Sequence, residues 1–190
     1  MAKPETPVVT ETTPRLPGDP SARASVARMI RVDHAGEYGA VRIYQGQLAA
    51  LRSRAKADLV RHMLAQEQRH LDTFTGLIVD RGVRPTILLP FWHLAGFALG
   101  AMTAALGERA AMACTVAVEE AIDTHYQKQI GALDQAEPDL RATISKFRDE
   151  ELEHRDTGLA HGAEQAPAYR LLRAVIKTGC RAAIALSERI

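Results

Sequence analysis

The chain is poor in cysteine and in aromatic residues and, beyond its first twenty positions, in proline. Only Cys114 and Cys180 are present, far apart and in no metal-ligand spacing. That argues against a disulfide scaffold and a thiolate zinc site, and suits buried, reduced thiols in a reducing compartment. Charge of one sign is also missing, since 24 basic residues are mixed with 23 acidic ones for a net charge of +1. There is therefore no basic stripe of the kind that nucleic-acid binding needs, and no nucleic-acid partner is expected. No glycine-rich dinucleotide fingerprint occurs, which removes a Rossmann-type site. What remains is rich in Ala and Leu, both strong helix formers. At 190 residues the chain suits one all-α domain with a sizeable core.

Five of the nine prolines fall within residues 1–20, a Pro/Thr-rich tail with almost no apolar periodicity. It reads as disordered, leaving residues 21–190 as the domain. It has no apolar run for a secretory signal, and Glu5, Glu11 and Asp19 are out of place in an organellar transit peptide. Ser21 is an expected N-cap for a first helix to about Arg54, striped by Val26, Ile30, Glu37, Val41, Tyr44 and Leu48. A second helix is expected from about Ala57 to Arg81, and Gly82 and Pro85 end it. Further helices follow from about Glu108 to Leu133, from Pro138 to about His161, and from Pro167 to the C-terminus.

Between the second and third of these lies Pro85–Gly107, which holds no Asp, Glu, Lys or Arg. By length it just reaches the ~20 apolar residues that a bilayer span requires. Pro90 shortens the usable helix, and His93 adds a polar group. The preferred reading is a helix lying in one leaflet, with a buried crossover or a true span as alternatives. The last helix is amphipathic, with Arg170, Arg173, Lys177 and Arg181 on its polar side. It suits either a membrane surface or packing on a bundle.

The pattern that organises the chain is an internal repeat. Glu67-Gln-Arg-His70-Leu-Asp-Thr73 and Glu151-Leu-Glu-His154-Arg-Asp-Thr157 both read Glu-x-x-His-x-Asp-Thr. With 13 Glu and seven His, about half a Glu-x-x-His match is expected by chance, so one copy alone is noise. The preceding helices match too, since Glu37 and Glu119 are each followed by Tyr at +7 and Gln at +10. The unit is therefore a helix pair, with Glu on its first helix and Glu-x-x-His on its second. Positions i and i+3 share a helix face, so each copy points a carboxylate and an imidazole the same way. Two copies supply Glu37, Glu67, His70, Glu119, Glu151 and His154, the ligand inventory of a di-metal carboxylate site in a four-helix bundle with one long crossover. Four buried carboxylates need compensation, and two divalent cations provide it. Oxygen and imidazole donors without thiolate suit Fe or Mn.

Weaker candidates surround this set. Tyr44 and Tyr126 lie two turns beyond a Glu on the same face and can hydrogen-bond a ligand or pass a proton or electron. A core tyrosine is the equal alternative. Asp33, one turn before Glu37, is expected either to orient a ligand histidine through its free N–H or to fill a surface or capping role. His125 is a candidate proton shuttle.

Longer strings carry a resemblance to a known family. Arg31-Val-Asp-His-Ala-Gly-Glu-Tyr-Gly-Ala40, Ala113-Cys-Thr-Val-Ala-Val-Glu-Glu-Ala121 and Phe147-Arg-Asp-Glu-Glu-Leu-Glu-His154 are the main ones, joined by Ala166-Pro-Ala-Tyr169 and Leu186-Ser-Glu-Arg-Ile190. Over residues 21–190 the chain resembles the demethoxyubiquinone hydroxylases, the di-iron monooxygenases of ubiquinone biosynthesis. The resemblance implies a ferritin-like bundle with an apolar crossover and a C-terminal amphipathic helix. It implies that Glu37, Glu67 and His70 bind one iron and Glu119, Glu151 and His154 the other, with Glu67 and Glu151 as bridges. The implied reaction is hydroxylation of the demethoxyubiquinol ring with O2 as co-substrate. The reductant is left open among a nicotinamide cofactor such as NADH, a reductase and the quinol itself. The implied partners are a polyprenyl quinol and a membrane surface reached through Pro85–Gly107 and the last helix. An accessory lipid-binding protein and a homo-oligomer are further candidates. The implied location is peripheral, on the cytoplasmic face of a bacterial inner membrane, or on the matrix side of the mitochondrial inner membrane for a eukaryotic mature chain. The rival reading is a ferritin-like iron-oxidising or storage protein.

Overall fold

A computed structural model describes residues 20–133 and 137–190. The expected tail at residues 1–20 lies outside the described residues except for Pro20. Six α-helices and one short 3-10 turn make up the described chain: α1 (Ala22–Ala50), α2 (Arg54–Asp80), α3 (Leu89–Ala105), α4 (Glu108–Ala132), α5 (Pro138–Ala160), the turn at Ala163–Gln165, and α6 (Tyr169–Ser187). Ser21 caps α1 by accepting from the Ala24 amide at 3.1 Å. The first helix ends at Ala50, earlier than Arg54, because Leu51 is extended and Ser53 starts the next helix by accepting from the Lys56 amide. The last helix starts at Tyr169, two residues later than Pro167, because Ala168 takes a left-handed conformation with φ 51°.

Helices α1 and α2 form one hairpin and α4 and α5 the second, each within the expected repeat unit. α1 and α4 approach each other only sparingly, so long side chains fill the middle of the bundle. Along its axis an apolar cluster built on Tyr44, Met63, Met112 and Val116 lies to one side. A second, built on Ile30, Phe74, Ile144 and Phe147, lies to the other. Burying side chains of this size contributes about 1.5–3 kcal/mol each, which offsets the polar layer held between them.

The long crossover carries α3, which packs mainly on α1. Its contact face is small: Gly100, Thr103 and Ala104 are its buried residues. Phe91, Leu94 and Met102 are 59%, 70% and 60% exposed, so the buried-crossover alternative does not hold. Among the described residues no helix is long and apolar enough to cross a membrane, so the spanning alternative drops out as well. Gly107, at φ 122°, makes the break into α4 that a side chain would strain. α6 crosses α4 and is pinned at two points. Glu120 accepts from Arg173 and Lys177, and Ser187 accepts from Trp92 Nε1 at 3.1 Å.

Candidate metal centre

The repeat places its polar residues in the layer between the two apolar clusters. Glu37 on α1, Glu67 and His70 on α2, Glu119 on α4, and Glu151 and His154 on α5 are all essentially inaccessible to solvent. They fall into two overlapping groups. Glu37, Glu67, His70 and Glu151 form one, and Glu67, Glu119, Glu151 and His154 the other. Within each group the donor atoms lie within 4.8 Å of one another. Glu67 and Glu151 belong to both groups, so they stand between two adjoining positions.

Both imidazoles turn Nδ1 inward. His70 Nδ1 is 3.1 Å from Glu151 Oε1 and 3.5 Å from Glu37 Oε2. His154 Nδ1 is 3.1 Å from Glu151 Oε2 and 3.0 Å from Glu67 Oε1, although the latter lacks hydrogen-bond geometry. Glu37 Oε2, both oxygens of Glu67 and Glu119 Oε2 are buried with no hydrogen-bond partner. Buried polar atoms are rarely left so, and four such oxygens aimed into one volume fit a pair of cations with a preference for oxygen and nitrogen.

The proton affinities carry the same message. Burial pushes the Glu67 and Glu119 carboxyls well up, and Glu37 up. Burial also opposes charge on the histidines, but their bonds to Glu151 and the negative charge of Glu37 or Glu67 close by outweigh it and raise His70 and His154 to about 11. For Glu151, hydrogen bonds from His154 and His70 overcome burial and pull it down to about 2. Protons thus hold the positive charge that these carboxylates demand, in a place where divalent ions can replace them.

Around the six residues, each tyrosine reaches the opposite repeat. Tyr44 donates to Glu119 Oε1 at 2.7 Å and Tyr126 donates to Glu37 Oε1. Asp33 does not orient either cluster histidine. Instead it accepts from Gln129 Nε2 at 2.7 Å and pairs with His125 at 3.2 Å. One turn before Glu37 it points to α4 and not towards α2 or α5, where the cluster histidines sit. His125 is outside the cluster. The partners of the outer imidazole nitrogens are Glu150, 2.6 Å from His70 Nε2, and Gln66, 3.0 Å from His154 Nε2. Sequence reasoning missed both, although each directly precedes the Glu of its Glu-x-x-His. The neighbouring acid Glu120 is turned away to α6.

Against the outer face of α1 and α4, α3 and α6 enclose an apolar cavity of about 510 Å³. Its wall includes Gly36 and Val118, the neighbours of Glu37 and Glu119, together with Phe91, Gly96, Gly179 and Ala183.

Comparison with known proteins agrees over nearly the whole chain. Residues 24–187 match the family described as ubiquinone biosynthesis protein COQ7. A 3-demethoxyubiquinol 3-hydroxylase of Rhodospirillum rubrum is 62% identical over 177 residues, covering 93% of this chain and 84% of that one. The mitochondrial NADPH-dependent 3-demethoxyubiquinone 3-hydroxylase of Homo sapiens is 55% identical over 176 residues, 90% of this chain and 81% of its own. The mitochondrial 5-demethoxyubiquinone hydroxylase of Saccharomyces cerevisiae is 41% identical, covering 88% and 79%. With an all-helical bundle that repeats its Glu and Glu-x-x-His helices around one buried polar layer, the chain belongs to the COQ7 family of ubiquinone biosynthesis proteins.

Proposed function

We propose that this protein is a di-iron monooxygenase that hydroxylates the ring of demethoxyubiquinol in ubiquinone biosynthesis. The observation that carries the reading is the pair of overlapping carboxylate–imidazole groups, buried beside an apolar cavity. Glu37 and His70 would hold one iron, Glu119 and His154 the other, and Glu67 and Glu151 would bridge them. When bound, the two irons supply binding and reductive activation of O2. One oxygen atom enters the ring and the other leaves as water, so two electrons and two protons must reach the centre in each turnover. The human relative's name supports a nicotinamide dinucleotide as the electron source. The rival iron-storage reading is not favoured, since the relatives are named as hydroxylases.

The residues of this chain contribute orientation, dryness and proton positions. Tyr44 and Tyr126 hold one oxygen each of Glu119 and Glu37, which leaves the second oxygen of each directed inward. The apolar clusters on either side of the layer keep bulk water from the cations, so charge interactions there are stronger than in water. The cavity suits the quinol head group on chemical grounds, being almost wholly apolar with a floor beside Glu37 and Glu119.

The polyprenyl tail of such a substrate lives in a bilayer, and the surface suits one. Phe91, Leu94 and Met102 on α3 and Leu171, Val175 and Leu186 on α6 are exposed. Arg170 and Arg181 stand exposed on α6, and Arg189 just beyond its end. An apolar face with basic residues at its margin binds a membrane surface without crossing it. We read the protein as peripheral, with α3 and α6 as the lips through which the substrate enters.

The test is a single turnover of anaerobically iron-loaded protein with a short-chain demethoxyquinol and isotopically labelled O2. One labelled oxygen in the ring, lost in Glu119→Ala, is the expected result. Rapid iron oxidation with no labelled product, from protein holding two irons per chain, would sink the hydroxylase reading.

A further inference from the structure

Around the polar layer the two halves of the repeat correspond residue for residue, and the exceptions are informative. Tyr44 and Tyr126 make equivalent bonds to the opposite Glu. Gln47 and Gln129 make equivalent bonds to α4 and α1, where Thr115 and Asp33 occupy the matching places. The position directly before each Glu-x-x-His holds Gln66 in the first copy and Glu150 in the second. Each of these crosses to the histidine of the other copy. Since both Nδ1 atoms face the cluster, Nε2 carries the hydrogen and donates. His70 donates to a carboxylate at 2.6 Å, and His154 donates to an amide oxygen at 3.0 Å. Among the described residues the cation paired with Glu150 is Lys146, at 3.7 Å with its side chain 72% exposed, where solvent screens it. Phe147 stacks on His70 with ring centres 3.9 Å apart, which fixes the imidazole plane.

A charged acceptor draws the N–H proton and leaves more electron density on the opposite ring nitrogen, whereas a neutral amide does so weakly. We propose that Glu150 and Gln66 are positioning residues that make the two metal positions inequivalent, the ion held with Glu37 and His70 being bound more tightly than the ion held with Glu119 and His154. This rests on the metal-centre reading above. The short, charge-assisted bond from His70 marks its side of the cluster as the stronger donor, and with both tyrosines bonded alike to Glu37 and Glu119 this pair of acceptors is the charge difference at the two imidazoles.

Calorimetric titration of the full chain with Co(II) alone tests it without any turnover. The wild type should take up two ions with separated affinities. Glu150→Gln should weaken the tighter ion by about 10–100-fold, the usual cost of losing an outer partner, and so merge the two. Gln66→Glu should tighten the weaker ion and also merge them, from the opposite side. The exchange Gln66→Glu with Glu150→Gln should separate them again, which a merely structural contribution of either side chain would not do. Because each single variant makes the same test from opposite directions, one that fails to fold leaves the other decisive. Two ions bound with unchanged separation in a folded single variant would overturn the inference. Fewer than two ions bound by the wild type would overturn the metal-centre reading itself, and this inference with it.

Discussion

Replacing Gly100 by alanine would force α1 and α3 apart and open the wall of the apolar cavity. A Cβ on Gly100 would overlap the carbonyl oxygen of Ile43 and stand 2.9 Å from the Gln47 amide nitrogen. Gly46 makes the reciprocal approach, where a Cβ would overlap Phe97 O and lie 2.8 Å from the Ala101 nitrogen. These are backbone atoms inside helices, so no flexible side chain can turn aside. Ordinary contacts need about 3.5–4.0 Å, so the axes must part by more than ~1 Å, and a gap of even 0.5–1 Å loses about a quarter to a half of each dispersion contact. Overpacking against rigid atoms costs about 3 kcal/mol, less the ~1 kcal/mol by which alanine favours helix over glycine. The net is about 2 kcal/mol, or a fall of roughly 4–8 °C in Tm for a domain of this size. Gly76 is the control, because a Cβ there would meet nothing within 4 Å. Gly76→Ala should raise stability by up to ~1 kcal/mol. Thermal unfolding followed by circular dichroism reads both. A Gly100→Ala protein that melts with the wild type would refute the reasoning.

The remaining expectations concern the centre and the outer helices. Without metal, His70 and His154 are raised from 6.5 to about 11 in the folded state, so their stabilisation is complete below about pH 6.5 and is lost as pH rises towards 11. Metal-free protein should therefore melt lower at pH 9 than at pH 6.5, and added Mn(II), which displaces those protons, should reverse the trend. A metal-free Tm that climbed over this window would contradict the assignment. Glu67→Ala removes an oxygen donor common to both groups and should lower bound iron below two per chain by elemental analysis, and an unchanged count would exclude Glu67 as a bridge. Lysine in place of Phe91, Trp92 and Leu94 should release the protein from liposomes, with retention counting against the membrane reading. Glu120→Gln weakens the partly buried anchor of Arg173 and Lys177, for about 1 kcal/mol or less. It should speed hydrogen exchange along α6 while α5 stays protected, whereas unchanged exchange on α6 would remove Glu120 as its anchor.

The helices and their inward faces were legible from the sequence because both depend on neighbours three or four positions away. Glu67 with His70, and Glu151 with His154, share a face by helical geometry alone, and two copies at matching places excluded chance. The same local logic misjudged ends where side-chain capping or a left-handed residue intervened, as at Ser53 and Ala168. For Asp33 it offered a ligand histidine or a surface or capping role and found neither, since the direction in which a side chain crosses a bundle depends on how the hairpins pack. That packing decided what no spacing reveals. Tyr126 meets Glu37 across 89 positions of chain, and His70 meets Glu150 across 80. It also decided that the charge-free segment becomes an exposed helix seated on α1 through glycines, because only close backbone approach tells a small-residue face from an ordinary apolar run. The residue types and their period thus determined a bundle with a buried polar layer. Tertiary structure alone determined which carboxylate stands behind which imidazole, because those pairs are separated along the chain and joined only by the docking of one hairpin on the other.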